Sequence, residues 1–135
     1  ADTPVVQIDS QRSVGIPSVI IDETYGVQQM VEHLITLGHT CFYEICGPLD
    51  WFSAQVRHQA CIETFEEHGI QPPKYIESNW TVSGGYRATK RLLEDGDDFT
   101  AIISANDTMA FGAIRALHEA GLTVPGDTCA NLAKS

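Results

Sequence analysis

Residues 100–125 read TAIISANDTMAFGAIRALHEAGLTVP, Thr100 to Pro125, and this stretch decides the fold. A short apolar run, Ala101 to Ser104, turns through Asn106 and Asp107 into a segment of helical periodicity. On a helical wheel Met109, Ala110, Ala113, Ile114, Leu117 and Gly121 share one arc, and Arg115, His118 and Glu119 lie opposite. Gly121 stops the helix and Pro125 prevents its return. A strand that feeds a helix through a polar corner is half of a βαβ unit. In open parallel sheets that corner, at the carboxyl end of the strand, is where ligands bind.

Working outward, Cys41 to Cys46 reads as a second strand, apolar enough for a parallel sheet covered on both faces. Glu44 is out of place in it, since a buried carboxylate costs several kcal/mol (roughly) unless it is paired or protonated. Upstream, Thr24 to Leu37 predicts a helix with Val27, Met30, Val31, Leu34, Ile35 and Leu37 buried, ended by Gly38. Downstream, Ser53 to His68 predicts a helix closed by Gly69, followed by a short strand at Tyr75 and Ile76. Ser83 is expected to cap a helix reaching Glu94, with Tyr86, Thr89, Leu92 and Leu93 inward and a polar loop after it. Pro4 to Ile8 and Pro17 to Ile21 read as two strands joined by a turn-rich segment. Strands alternating with helices give an α/β fold, a doubly wound parallel sheet with right-handed crossovers.

Composition narrows the function. The 135 residues suit one domain. A hydrophobic content of 43% rules against disorder, and no run approaches the roughly 20 apolar residues of a membrane span. Eight basic and 18 acidic residues give a net charge of −10, so these residues should repel DNA, whose binding rests on phosphate neutralisation. Cys41, Cys46, Cys61 and Cys129 show no metal or redox spacing and read as free, buried thiols of a reducing compartment. The five histidines do not converge; His58 alone lies on an apolar helix face, as a satisfied core histidine. No metal site and no cofactor is expected. The chain lacks a G-x-G-x-x-G fingerprint, a P-loop and a G-x-S-x-G elbow, which argues against a doubly wound enzyme.

The Thr100–Pro125 stretch also resembles the effector-binding core of the LacI/GalR family of bacterial transcription regulators, whose pattern runs T-A-(apolar)-(apolar)-x-A-N-D-x-M-A-x-G through to V-P. VEHLITLGH (Val31 to His39), CGPLDWFSAQVR (Cys46 to Arg57) and NWTVSGGY (Asn79 to Tyr86) match in the same order. The resemblance implies a periplasmic-binding-protein-like core of type I, with two lobes and a ligand in the cleft between them. On it, residues 1–39 are the tail of the N-terminal lobe and a crossing helix, 40–127 the C-terminal effector-binding lobe, and 128–135 a tail outside the family pattern. That tail, TCANLAKS, has poor strand propensity where the family has an apolar strand, so an open sheet edge is expected. The resemblance implies a cytoplasmic regulator that senses a small-molecule effector, a galactoside-like sugar, without catalysis. It is expected to form a homodimer or otherwise self-associate. Operator DNA would be gripped through a headpiece missing here, and no membrane is involved. The alternative is a sugar-binding protein of a transport system with the same fold.

Candidate ligand-binding residues sit where strands run into helices. Ser53 and Arg57, spaced by four on one helical face, resemble effector contacts of sugar-responsive members, the guanidinium fork matching neighbouring hydroxyls. The other reading of Arg57 is a surface cation paired with a carboxylate. Asn106 carries donors and an acceptor suited to paired hydroxyls; its other reading is a helix N-cap, a task that Asp107 or the backbone could serve instead. Trp80 is similar to the position used by β-galactoside-responsive members, a ring against the C–H face of a sugar; otherwise it anchors a loop over the sheet edge. Asp22 and Tyr25 line the crossing segment and are candidates from the N-terminal side.

Overall fold

The structure, a computed structural model, describes residues 7–8, 18–19, 23–96, 98–122, 124 and 129–132. The strands β1 (Gln7–Ile8) and β2 (Ser18–Val19) pair in parallel, and the rest of the two N-terminal strands lies outside the described residues. Four further strands form one parallel sheet: β3 (Phe42–Cys46), β4 (Lys74–Glu77), β5 (Ala101–Ser104) and β6 (Cys129–Leu132), in the order β4-β3-β5-β6.

Every residue of β3 and β5 is buried, as expected of strands covered on both faces. On one face Phe42, Ala101 and Ile103 meet Val27, Val31 and Leu34 of helix α1 (Glu23–Thr36) and Ala60, Cys61 and Phe65 of helix α2 (Phe52–Glu67). The Phe42 and Phe65 rings meet edge to face at 4.8 Å. On the other face Tyr43, Ile45 and Ile102 are covered by Ala88 and Leu92 of helix α3 (Val82–Asp95) and Met109, Ala113 and Leu117 of helix α4 (Asp107–Glu119). The sheet is therefore doubly wound. From β3 the chain moves outward to β4 through α2, and from β5 outward to β6 through α4, so the winding reverses between β3 and β5. That reversal opens a crevice at the carboxyl ends of these two strands.

The helices α3 and α4 approach closely because each is notched by glycine. A Cβ on Gly85 would collide with the Met109 carbonyl, and one on Gly112 with the Val82 carbonyl. This contact corrects the apolar arc read for α4. The buried set is Met109, Ala110, Gly112, Ala113, Ala116 and Leu117, because the helix faces α3 as well as the sheet, and Ile114 turns outward. Leu37 is also exposed, lying past the last turn of α1, and Cys41 precedes β3 and is an exposed thiol rather than a buried one. The cap of α3 is Thr81, whose hydroxyl oxygen accepts from the Gly84 N–H at 2.8 Å; Ser83 already lies inside the helix.

The tail also departs from expectation. Cys129–Leu132 pairs in parallel with Ala101–Ser104 and covers that edge of β5. The unpaired backbone groups of a central strand outweigh weak side-chain preference, which is why strand propensity is context-dependent.

Candidate functional site

Three strand-to-helix corners meet at the carboxyl end of the sheet. The loop after β3 begins at Gly47, the loop after β4 carries Trp80, and Ala105 and Asn106 follow β5. Backbone bonds lock them together: the Ser78 N–H donates to the Cys46 carbonyl at 2.8 Å and the Ala105 N–H to the Ile45 carbonyl at 3.0 Å.

Arg57 lies at the crevice between β3 and β5. Carried by α2, it is only 6% exposed, because its guanidinium points back over the sheet end rather than into solvent. Its Nε donates to Glu23 Oε1 at 2.9 Å, and its Nη2 lies 2.7 Å from the same oxygen. Its Nη1 donates to the Ala105 carbonyl, bridging the two sides of the crevice. The guanidinium carbon stands 5.7 Å from the centroid of the Trp80 ring, a cation–π contact. So Arg57 does pair with a carboxylate, but as a buried cation. Of the five N–H donors of a guanidinium, three are engaged among the described residues and two are left.

Trp80 is the hub of the corner. Its φ of 70° is a left-handed conformation that non-glycine residues rarely adopt. The ring lies over Gly47, where any Cβ would strike it, and meets Trp51 edge to face at 6.0 Å. Its Nε1–H is buried with no acceptor among the described residues. The strained backbone and orphaned donor are held in place by the contacts around them.

Asn106 does what its cap reading says. Its Oδ1 accepts from the Met109 N–H at 2.8 Å at the start of α4, so the task does not pass to Asp107. Its Nδ2 donates to the Trp80 carbonyl at 3.1 Å, fixing the neighbouring corner. Ser53 is half-buried one turn before Arg57. Tyr25 is exposed on α1 with its hydroxyl accepting from Gln29 Nε2 at 2.7 Å, and Asp22 lies outside the described residues. The structure thus brings together Arg57, Trp80 and Asn106. It adds Glu23, Gly47 and the Ala105 carbonyl, which sequence reading missed: Glu23 is 34 residues from Arg57, and no spacing rule links them.

Beneath the corner, Glu44 finds its partner. Its two oxygens lie 2.9 and 3.0 Å from His58 Nδ1, and the His58 ring packs on Tyr75 at 4.4 Å. Burial pushes the Glu44 carboxyl up, opposed by His58; the hydrogen bond to Glu44 holds His58 above its ordinary value. Burial, reinforced by Glu44 and Glu77, pushes the Cys46 thiol up to about 12, and burial raises Cys61 as well. Neither thiol is a nucleophile at neutral pH. The corner offers hydrogen-bond donors and acceptors and an aromatic ring, which suit binding. Among the described residues no group of three or more His, Cys, Asp or Glu side chains is placed to hold a metal ion.

Residues 31–129 match the model of the periplasmic binding protein-like domain. The chain is 35% identical over 126 residues to the lactose operon repressor of Escherichia coli strain K12, covering 93% of this chain and 35% of the repressor. It is 38% identical over 112 residues to the HTH-type transcriptional repressor PurR of Haemophilus influenzae, covering 81% of this chain and 33% of that protein. Among solved structures, a dimeric lac repressor with an 11-residue C-terminal deletion superposes with a TM-score of 0.87 at 34% identity, over 93% of this chain and 46% of that one. A sugar-binding transcriptional regulator of the LacI family from Escherichia coli, complexed with phosphate, gives 0.89 at 28% identity, over 96% of this chain and 48% of that one. The chain spans about a third of the length of the curated relatives it matches. With motifs, doubly wound sheet and corner geometry all in agreement, the chain belongs to the LacI/GalR family of transcriptional regulators and represents part of its periplasmic-binding-protein-like, effector-binding core.

Proposed function

We propose that this protein senses a sugar of the galactoside class and binds it without chemical change, as the effector-binding core of a transcriptional regulator. The observation that carries the reading is Arg57. It is a buried guanidinium with two N–H donors left over, set against the Trp80 ring at the switch point of the sheet. Paired donors beside a flat apolar surface match vicinal hydroxyls and the C–H face of a pyranose. Ser53 and Asn106 line the approach, and Asp22 and Tyr25 are contributed from the N-terminal side. Operator DNA is contacted by a headpiece outside these residues, whose charge of −10 keeps them off phosphate.

The regulator works as a homodimer, and the α3–α4 pair is the face it uses. Val82, Phe111 and Ile114 are large apolar side chains exposed there, and the lac repressor it superposes on is dimeric.

Titration calorimetry of the intact protein against a panel of sugars, purines and amino acids tests the reading. Heat with a galactoside is expected, and Arg57→Ala should weaken binding by about 1.5–3 kcal/mol, since it leaves hydroxyls desolvated and unpaired. Heat with a purine or an amino acid and none with any sugar would remove the sugar assignment.

A further inference from the structure

The buried cation of the corner is already neutralised from within. Glu23 and Arg57 are each 6% exposed, and the carboxylate takes both the Nε and Nη2 sides of the guanidinium. The other arginines of the described helices are engaged elsewhere. Arg91 pairs with Asp95 and Arg115 with Glu119 on exposed surfaces, and Arg87 donates to Ser83. Helix N-termini attract anions when their amides are unpaired, and two of them here are capped by the chain's own side chains. Thr81 takes the Gly84 N–H of α3 and Asn106 the Met109 N–H of α4; α2 has no side-chain cap, but Glu77 stands ahead of it and takes the Leu49 N–H at 2.7 Å. Asp107 adds a negative charge in the first turn of α4.

We propose that Glu23 is a specificity-determining residue that makes this corner accept uncharged polyols and refuse anionic ones such as sugar phosphates, an inference that rests on the sugar-binding reading. A neutral sugar uses the two remaining N–H donors of Arg57 and offers a hydroxyl to Glu23 without disturbing the pair. A phosphate that seeks the guanidinium must displace Glu23 and leave that carboxylate buried beside it, with like charges in a poorly solvated place.

The test is calorimetry of the intact protein with galactose and galactose 6-phosphate. Wild type is expected to prefer the neutral sugar by about tenfold or more, and Glu23→Gln to narrow that ratio by about fivefold or more through tighter phosphate binding. Glu23→Asp, which keeps the charge, should hold the wild-type ratio, and the wild-type ratio stands as a test even if Glu23→Gln fails to fold. Equal or tighter binding of the phosphate by wild type, or a folded Glu23→Gln protein with an unchanged ratio, would overturn the selection and leave sugar binding intact. Binding of neither sugar, with heat from a purine instead, would overturn the sugar reading and this inference with it.

Discussion

The Asn106 side chain caps α4 with its oxygen and, with its nitrogen, donates to the Trp80 carbonyl at 3.1 Å, so one amide joins two strand-to-helix corners. Asn106→Ala removes both bonds and should lower stability by about 1–2 kcal/mol. Asn106→Asp keeps the capping acceptor but not the donor, so it should lose less stability than Ala while still releasing Trp80. Chemical denaturation of the three proteins ranks them, and an Asp variant as unstable as the Ala variant would show that the cap contributes nothing.

The Glu44–His58 pair predicts a stability that falls as pH rises. Both groups titrate above their ordinary values of 4.5 and 6.5, so the folded chain binds protons more tightly than the unfolded chain. The His58 contribution is complete below its unfolded value and is lost as pH rises through its folded one. Among the described residues, Tyr75, Cys46 and Cys61 face the pair. His58→Ala strands the carboxylate and should cost about 3–5 kcal/mol at neutral pH, whereas a Glu44→Leu, His58→Leu double variant should be near neutral. Urea melts between about pH 5 and 8 check the sign, with wild type losing stability relative to the double variant as pH increases.

Gly112→Ala forces a methyl into the Val82 carbonyl and should cost about 1–3 kcal/mol as α3 and α4 are pushed apart. Gly26→Ala, in α1 with nothing within 4 Å of the new methyl, should instead stabilise by about 0.5–1 kcal/mol. Thermal melts of the two variants should move in opposite directions.

The exposed apolar residues of the α3–α4 pair predict the oligomeric state. If the proposed dimer uses this face, Phe111, 64% exposed in the subunit, lies in it, and Phe111→Glu should shift the protein toward monomer without lowering the stability of the fold by more than about 0.5 kcal/mol. Light scattering across a dilution series of wild type and variant decides it. A monomeric wild type would dismiss this face as an interface.

The doubly wound order was legible because β3 and β5 are short apolar runs between helices of clear period, and each corner carries its own turn chemistry. Arg57, Trp80 and Asn106 were legible as neighbours because corners of a parallel sheet converge. What stayed hidden depended on distant partners. Nothing near Glu44 in sequence announces His58, nor anything near Arg57 Glu23, because α2 brings both partnerships about only by lying across the sheet. Ile114 was misplaced for a related reason: a helical wheel assumes one buried direction, and α4 has two. The strand at Cys129–Leu132 was missed because its stability resides in the edge it covers.

The edge-to-face meeting of Trp51 and Trp80 makes the corner optically legible. These are the only two tryptophans in the sequence, 6.0 Å apart, with the Arg57 guanidinium beside one of them. Excited at the indole band, these 135 residues therefore emit from a single place, the junction of the loops after β3 and β4. Any molecule that settles there, or any displacement of the neighbouring guanidinium, alters that light without a label having been attached.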